Sequence, residues 1–422
     1  MKKFKILHFL KEFGALITYC LVINIILSLF YFLAGLIEQM HLINLENNVA
    51  YIIGYALILI IVLLISRIIE PYKFSKKADD EFIRNYLKIS AEPNYFSEIC
   101  VYLISVLCTF ALGLALGSQG PSLYIGILSS LLIYKFIFKT SSMSVKEQIL
   151  LGGSVGYSIA FMNPIAGMTL ALERSKFKIP MTFILKLSFA LIFSFFLQYL
   201  MNFSYLCEYF IHLEGHMNYW LLFIVPIFVI FACGSGLLFK RIFREIKKHI
   251  NHENKIVKIV MYGLIILIPL LIKIYNPYLL GGGLLTTTWI FSDAALGIVA
   301  LYGLIRILFT LFSFETKFSG GMGGCIIIVG AIIGRILAGL LGLVIPLTQT
   351  DYFVLSIATG LPFYGITTRE KYTSFALIFS FGNFIYLIAP CTIGFLTMMG
   401  ISETYKAIKK RQNQKEKILE IA

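Results

Sequence analysis

Chemistry in this sequence concentrates in two glycine clusters. Gly117-Ser118-Gln119-Gly120-Pro121-Ser122 and Ser319-Gly320-Gly321-Met322-Gly323-Gly324-Cys325-Ile326 each interrupt a long apolar run and then open a new apolar helix. A helix that begins inside an apolar layer turns unpaired N–H groups and the positive end of its dipole inward, which suits an anion. In lipid such a break is tolerated only where the freed backbone is buried in protein or lines a wet cavity. Two breaks at matching places in two halves point to an ion site near the membrane midplane. Gln119 adds a neutral amide that donates N–H and does not titrate near neutral pH. Pro121 suits a first helical turn.

The elements that must position these clusters follow from composition. The chain has 422 residues, 59% hydrophobic and only 14% charged, with mean hydropathy +0.86. That composition marks an all-α integral membrane protein with many spans. Apolar runs include 13–36, 49–65, 99–116, 122–137, 182–200, 219–239, 256–272, 295–311, 325–346 and 375–399. Their unequal lengths fit tilted, broken and re-entrant helices better than a plain bundle. The net charge of +14 does not indicate nucleic acid, because Lys and Arg gather in the N-terminal tail, in loops 67–88, 135–146, 174–178 and 240–258, and in the tail 406–417. Basic short loops mark the cytoplasmic side, so both termini are expected there, in a plasma membrane. The first apolar run is too long for a cleaved signal peptide. No apolar helix carries Arg or Lys at every third position, which excludes a voltage-sensor helix.

The chain reads as two halves. Ala160-Phe161-Met162-Asn163-Pro164-Ile165-Ala166-Gly167 follows the first cluster, and Ala358-Thr359-Gly360-Leu361-Pro362-Phe363-Tyr364-Gly365 follows the second. Residues 1–240 form the first half and 259–405 the second, inverted against it, with a basic inter-half loop at 241–258 and a basic cytoplasmic tail at 406–422. The tail leaves no room for a soluble regulatory domain.

Other constellations carry less. His212 and His216 could share a helix face and bind a metal, but histidines in such a loop are usually solvated, so no metal and no cofactor is expected. Ser118 inside Gly-Ser-x-Gly lacks a base, since every histidine falls in a tail or loop, so the chain is not expected to be an enzyme. The seven cysteines are scattered without a C-x-x-C pair and read as small apolar fillers.

The stretch 151–173, a Gly/Ala-rich helix followed by Asn163-Pro164-Ile165-Ala166-Gly167 and a helix ending in Glu173, resembles the CLC family of chloride channels and chloride/proton antiporters. Gly117–Pro121 is similar to the family's G-(R/K)-E-G-P motif, and 318–334 to its second glycine-rich stretch. Gly400–Tyr405 stands where the family places an anion-contacting tyrosine. The resemblance covers most of 55–405 and implies a CLC-like bundle in two inverted repeats, a path for chloride or a similar anion, and a homodimer in the lipid bilayer.

By that resemblance the anion-binding residues are Ser75, Gln119, Gly120, Gly324, Ile326 and Tyr405. Several depart from the family's pattern. Ser75 lies in Phe74-Ser75-Lys76-Lys77-Ala78, where the family has G-S-G-I-P, and reads equally as part of a solvated loop. Gln119 replaces the gating glutamate; it resembles the protonated acid in shape but carries no proton. Ile326 is the residue whose backbone amide is expected to approach the anion. Tyr405 reads as a phenol donor or as an interfacial anchor. At the inner proton site Glu173 matches a structural glutamate and Arg174 the proton-transfer position, and arginine does not relay a proton. The expectation is therefore passive anion transport, with proton-coupled antiport or a family member without transport as the alternatives.

Overall fold

The computed structural model describes residues 2–43, 49–69, 94–136, 143–175, 178–201, 217–250, 254–290, 294–316, 318–381 and 384–421. Its helices, in chain order, are α1 (Lys2–Leu42), α2 (Val49–Ile69), α3 (Tyr95–Ala111), α4 (Gln119–Phe136), α5 (Val145–Phe161), α6 (Pro164–Arg174), α7 (Met181–Leu200), α8 (Val225–His249), α9 (Lys255–Tyr275), α10 (Leu284–Ile290), α11 (Leu296–Glu315), α12 (Gly323–Gly342), α13 (Gln349–Thr368), α14 (Lys371–Ala376) and α15 (Phe384–Ile421). Among the described residues, eight helices are long and apolar enough to cross a membrane: α1, α2, α7, α8, α9, α11, α12 and α15. The protein is an all-α membrane bundle.

Helix starts follow capping chemistry. Ser144 and Glu147 close a reciprocal capping box on α5, and Thr348 and Asp351 do the same on α13. Between α5 and α6 the chain turns sharply. Met162 takes a left-handed conformation (φ 46°), and Asn163 caps α6 by accepting from the Ala166 N–H at 3.0 Å, with Pro164 opening the helix. The Asn163 amide then donates to Ala376 O at 2.7 Å and Ser380 Oγ at 3.0 Å, tying the first half to the second.

The core consists of two helix pairs, α4 on α5 and α12 on α13, with α8 against α13. Small residues allow backbones to touch, which is how helices associate in lipid. A Cβ on Gly156 of α5 would stand 2.1 Å from Ser122 O of α4, and one on Gly360 of α13 would stand 2.9 Å from Ile327 O of α12. The same device thus recurs in both halves.

The structure differs from the sequence reading in two stretches. Segment 241–258, expected as a loop, is mostly helical: α8 continues to His249 and α9 starts at Lys255. Its charges lie on exposed helix faces, including a Lys248–Glu245 pair at 3.0 Å. Pro362, the counterpart of Pro164, does not break its helix but stays inside α13. Leu361 before it has no side-chain oxygen with which to cap a new helix, as Asn163 does.

Gly156→Val should therefore destabilise the protein by about 1–3 kcal/mol or more through forced separation of α4 and α5. Gly234→Ala, where nothing lies within 4 Å of the new methyl, should cost nothing. Thermal denaturation in detergent compares the two.

Candidate anion-binding site

The two glycine clusters meet. Gly117 donates its N–H to Gly321 O at 2.6 Å, and Gly321 returns its own to Gly117 O at 2.7 Å, an antiparallel bridge between the halves. Two residues past each bridge position a helix begins, α4 at Gln119 and α12 at Gly323. Both helix tips are thereby brought to one place. A side chain has no room here: a Cβ on Gly120 would lie 2.6 Å from Gly321 Cα, and one on Gly321 would lie 2.4 Å from Gly120 N.

At the tip of α4, Pro121 has no N–H and Ser122 N donates to Ser118 O at 3.0 Å, so the forward end of the helix is built from Gln119 and Gly120. Across from them Gly324 N, in the first turn of α12, donates to Gln119 Oε1 at 3.1 Å. Gln119 is only 2% exposed. The Gln119 side chain thus accepts from a backbone donor of the opposite half.

A third segment closes round the tips. Gly281 N donates to Gly113 O at 2.9 Å and Gly282 N to Glu38 Oε1 at 3.3 Å, while Cys325 Sγ donates to Gly282 O at 3.2 Å. Arg306 of α11, fully buried, donates to Leu279 O and to Gly281 O, the latter at 2.8 Å. Gly113 and Gly281 have positive φ of 68° and 73°, a region that glycine enters without steric cost. Ser105 Oγ donates to Ser319 Oγ at 3.0 Å, fixing the approach to the second cluster.

The expected site residues separate accordingly. Gln119, Gly120 and Gly324 come together. Ile326 does not offer its amide: α12 starts three residues earlier, so Ile326 N is already spent inside the helix on Met322 O at 3.0 Å. The donor that faces Gln119 is Gly324. Tyr405 lies 51% exposed on α15, which runs without a break past Gly400, and none of the hydrogen bonds among the described residues joins it to the tips. The tyrosine beside Gly323 is Tyr364 of α13: a Cβ on Gly323 would stand 3.5 Å from its Cε2 and 3.9 Å from its hydroxyl. Ser75, His212 and His216 lie outside the described residues.

Glu173 caps α14. Its carboxylate accepts from Tyr372 N at 2.8 Å, Thr373 N at 2.9 Å and Thr373 Oγ1 at 2.6 Å. Arg174 donates through Nε and Nη2 to Glu370 Oε1, at 2.9 and 2.5 Å. Sequence reasoning overlooked Glu38, Arg306, Tyr364 and Glu370. For Arg306 a signal existed, because an ionisable residue within an apolar run is a functional or structural marker in itself.

The family model described as voltage gated chloride channel matches residues 54–403. The chain belongs to the CLC family. No curated protein matches it. Among solved structures, a slow cyanobacterial Cl−/H+ antiporter is similar with TM-score 0.73 at 16% identity, covering 95% of this chain and 98% of that one. A CLC-type fluoride/proton antiporter gives TM-score 0.65 at 16% identity over 92% and 94% of the two chains. A eukaryotic CLC transporter gives 0.65 at 14% identity, over 93% of this chain and 72% of that one. These likenesses establish the CLC fold of this member, and membership carries anion transport as the family's activity.

Because Glu173 caps a helix, Glu173→Ala should lower stability by about 1–2 kcal/mol. The ratio of proton to chloride flux in reconstituted vesicles should stay unchanged. Thermal denaturation and the flux ratio together check this.

Proposed function

We propose that this CLC member conducts chloride or a similar small anion passively, uncoupled from protons, as a homodimer in the plasma membrane with both termini cytoplasmic. The observation that carries the reading is the neutral Gln119 amide at the meeting point of two helix tips. Its Oε1 accepts from Gly324 N, so an arriving anion exchanges places with an uncharged oxygen. The anion then gains the Gly324 N–H, and the glutamine Nε2–H2 group can turn towards it. Backbone and amide donors stabilise a dehydrated anion without a full positive charge, which keeps binding weak enough for release. A carboxylate in this place would instead compete with the anion and ferry a proton, and glutamine does neither.

Arg174 in place of a proton-transfer carboxylate supports the same reading, since a guanidinium stays charged at every relevant pH. Gln119 and Arg174 thus stand at the two positions where coupled exchange would use an acid. The basic residues at the Arg174 end of the bundle, among them Arg369, Lys371 and Lys240, favour placing that end on the cytoplasmic side. Dimerisation rests on family membership.

A second reading is anion exchange coupled to protons. Two of the similar structures are described as a Cl−/H+ and a fluoride/proton antiporter. The discriminating measurement is simultaneous chloride and proton flux in reconstituted vesicles. Passive conduction gives chloride movement with no stoichiometric counter-movement of protons, and a fixed ratio of the two selects antiport instead.

Gln119→Glu should make chloride flux fall more steeply with rising pH than in the parent, by about tenfold or more, as the new carboxylate ionises and holds the anion's place. A variant that tracks the parent at every pH would remove Gln119 from the pathway.

A further inference from the structure

Lys240, Arg244 and Arg369 gather where α13 ends, with no carboxylate among them. Lys240 of α8 donates to Thr367 O, in the last turn of α13, at 2.8 Å. Arg369 comes two residues later, exposed, at the left-handed position that closes the helix (φ 73°). Arg244, also exposed, stands one turn beyond Lys240 on the same face of α8. Arg369 and Arg244 are the charges that bear on Lys240. Among the described residues, no acidic side chain pairs with any of these cations. The carboxylates of the region are engaged elsewhere: Glu370 with Arg174, Glu245 with Lys248, and Glu403 with Lys371 and Lys406.

The course of the two helices leaves a ledge at this point. A Cβ on Gly236 would stand 2.7 Å from Ile366 Cγ2, so α8 and α13 touch at that level. One turn on, Lys240 reaches a terminal carbonyl of α13. Beyond it α13 stops at Thr368, whereas α8 continues to His249. The stretch from Lys240 to His249 carries α8 onward by about 13 Å. Lys240 marks the root of this overhang, Arg244 lies along it, and Arg369 stands at the end of the shorter helix.

A merely solvated basic face does not account for the grouping. Like charges four residues apart on a helix repel. A helix C-terminus favours a cation, but Lys240 already serves that end, and the position of Arg369 is one that glycine fills most often. The complementary partner is an anion broad enough to face several cations, and two guanidinium forks suit the oxygens of a phosphate. Ile227, Phe231, Leu238 and Ile242 of α8 are exposed and fall on one stripe, which runs from the cations along a span that crosses the bilayer. An occupant with an anionic head and apolar tails matches both parts of this surface. We propose that Lys240, Arg244 and Arg369 bind the phosphate of an anionic membrane phospholipid, whose acyl chains lie along the α8 stripe. Bound there, the phospholipid braces α8 against α13, the partner of α12, and stabilises the fold. The inference goes beyond the transport reading and holds for coupled and uncoupled transport alike.

The test is thermal unfolding of the full chain in detergent with added phosphatidylglycerol, phosphatidylcholine of the same acyl chains, or glycerol 3-phosphate. Native mass spectrometry of the same samples counts the phospholipids retained. Phosphatidylglycerol should raise the unfolding midpoint by about 2–4 °C over phosphatidylcholine. Glycerol 3-phosphate at the same phosphate concentration should not raise it. The Arg244→Gln/Arg369→Gln double variant should lose the shift and the retained phosphatidylglycerol. Lys255→Gln/Lys258→Gln, which removes the same charge from the start of α9, should keep both. A wild type without the shift, or an equal loss in the two double variants, overturns the proposal. Glycerol 3-phosphate acting as well as phosphatidylglycerol assigns the cations to a free phosphate, and overturns it too. So does phosphatidylglycerol retained by a monomer but excluded from a dimer, because a second copy of the chain then covers the stripe.

Discussion

The reciprocal pair of backbone hydrogen bonds between Gly117 and Gly321 is the constraint on which the rest of the structure depends. Backbone groups at membrane depth must find partners inside the protein. Here two interrupted spans satisfy each other, and in doing so fix where α4 and α12 begin. With the starts fixed, the first turns of both helices face one small volume. Glycine is required at the crossing because the chains approach too closely for a Cβ. The bridge therefore unites two halves and sets the two helix starts side by side in one step.

Charge near this volume is present but committed. Arg306 spends donors on the carbonyls of Leu279 and Gly281, and Glu38 accepts from Gly282. Burying such groups is costly unless they are hydrogen-bonded, so their use is to hold the 281–283 loop against the tips. The groups at the tips themselves, Gln119 and the Gly324 amide, are neutral. Asn163 does a comparable task further off, joining the α5–α6 turn to the end of α14 and to Ser380. A fixed backbone cradle with neutral lining suits an ion that has to leave as readily as it arrives.

Much of this was legible in the sequence, for physical reasons that also explain the remainder. Glycine clusters inside apolar runs announce broken helices, and Gln119, Gly120 and Gly324 follow from them. Placing the amide at Ile326 failed by two residues, because the donors of a helix lie in its first turn and a fourth residue is already bonded within it. Tyr405 was expected to follow a helix end that does not exist, since Gly400 sits inside a continuous α15. Tyr364 and Glu370 could not be found from local pattern at all. Their meeting with Tyr157 and Arg174 joins positions about 200 residues apart, across both halves.

The helices that form the heart of the molecule are not its most apolar ones. Of the core pairs, only α12 is among the segments long and apolar enough to cross a membrane, while α4, α5 and α13 are not. Such segments have little reason to partition into lipid by themselves. During synthesis they must wait at the interface, or enter in company with neighbours such as α1, α7 and α11. The junction of the two halves can close only after the second half has emerged, since it joins Gly117 to Gly321.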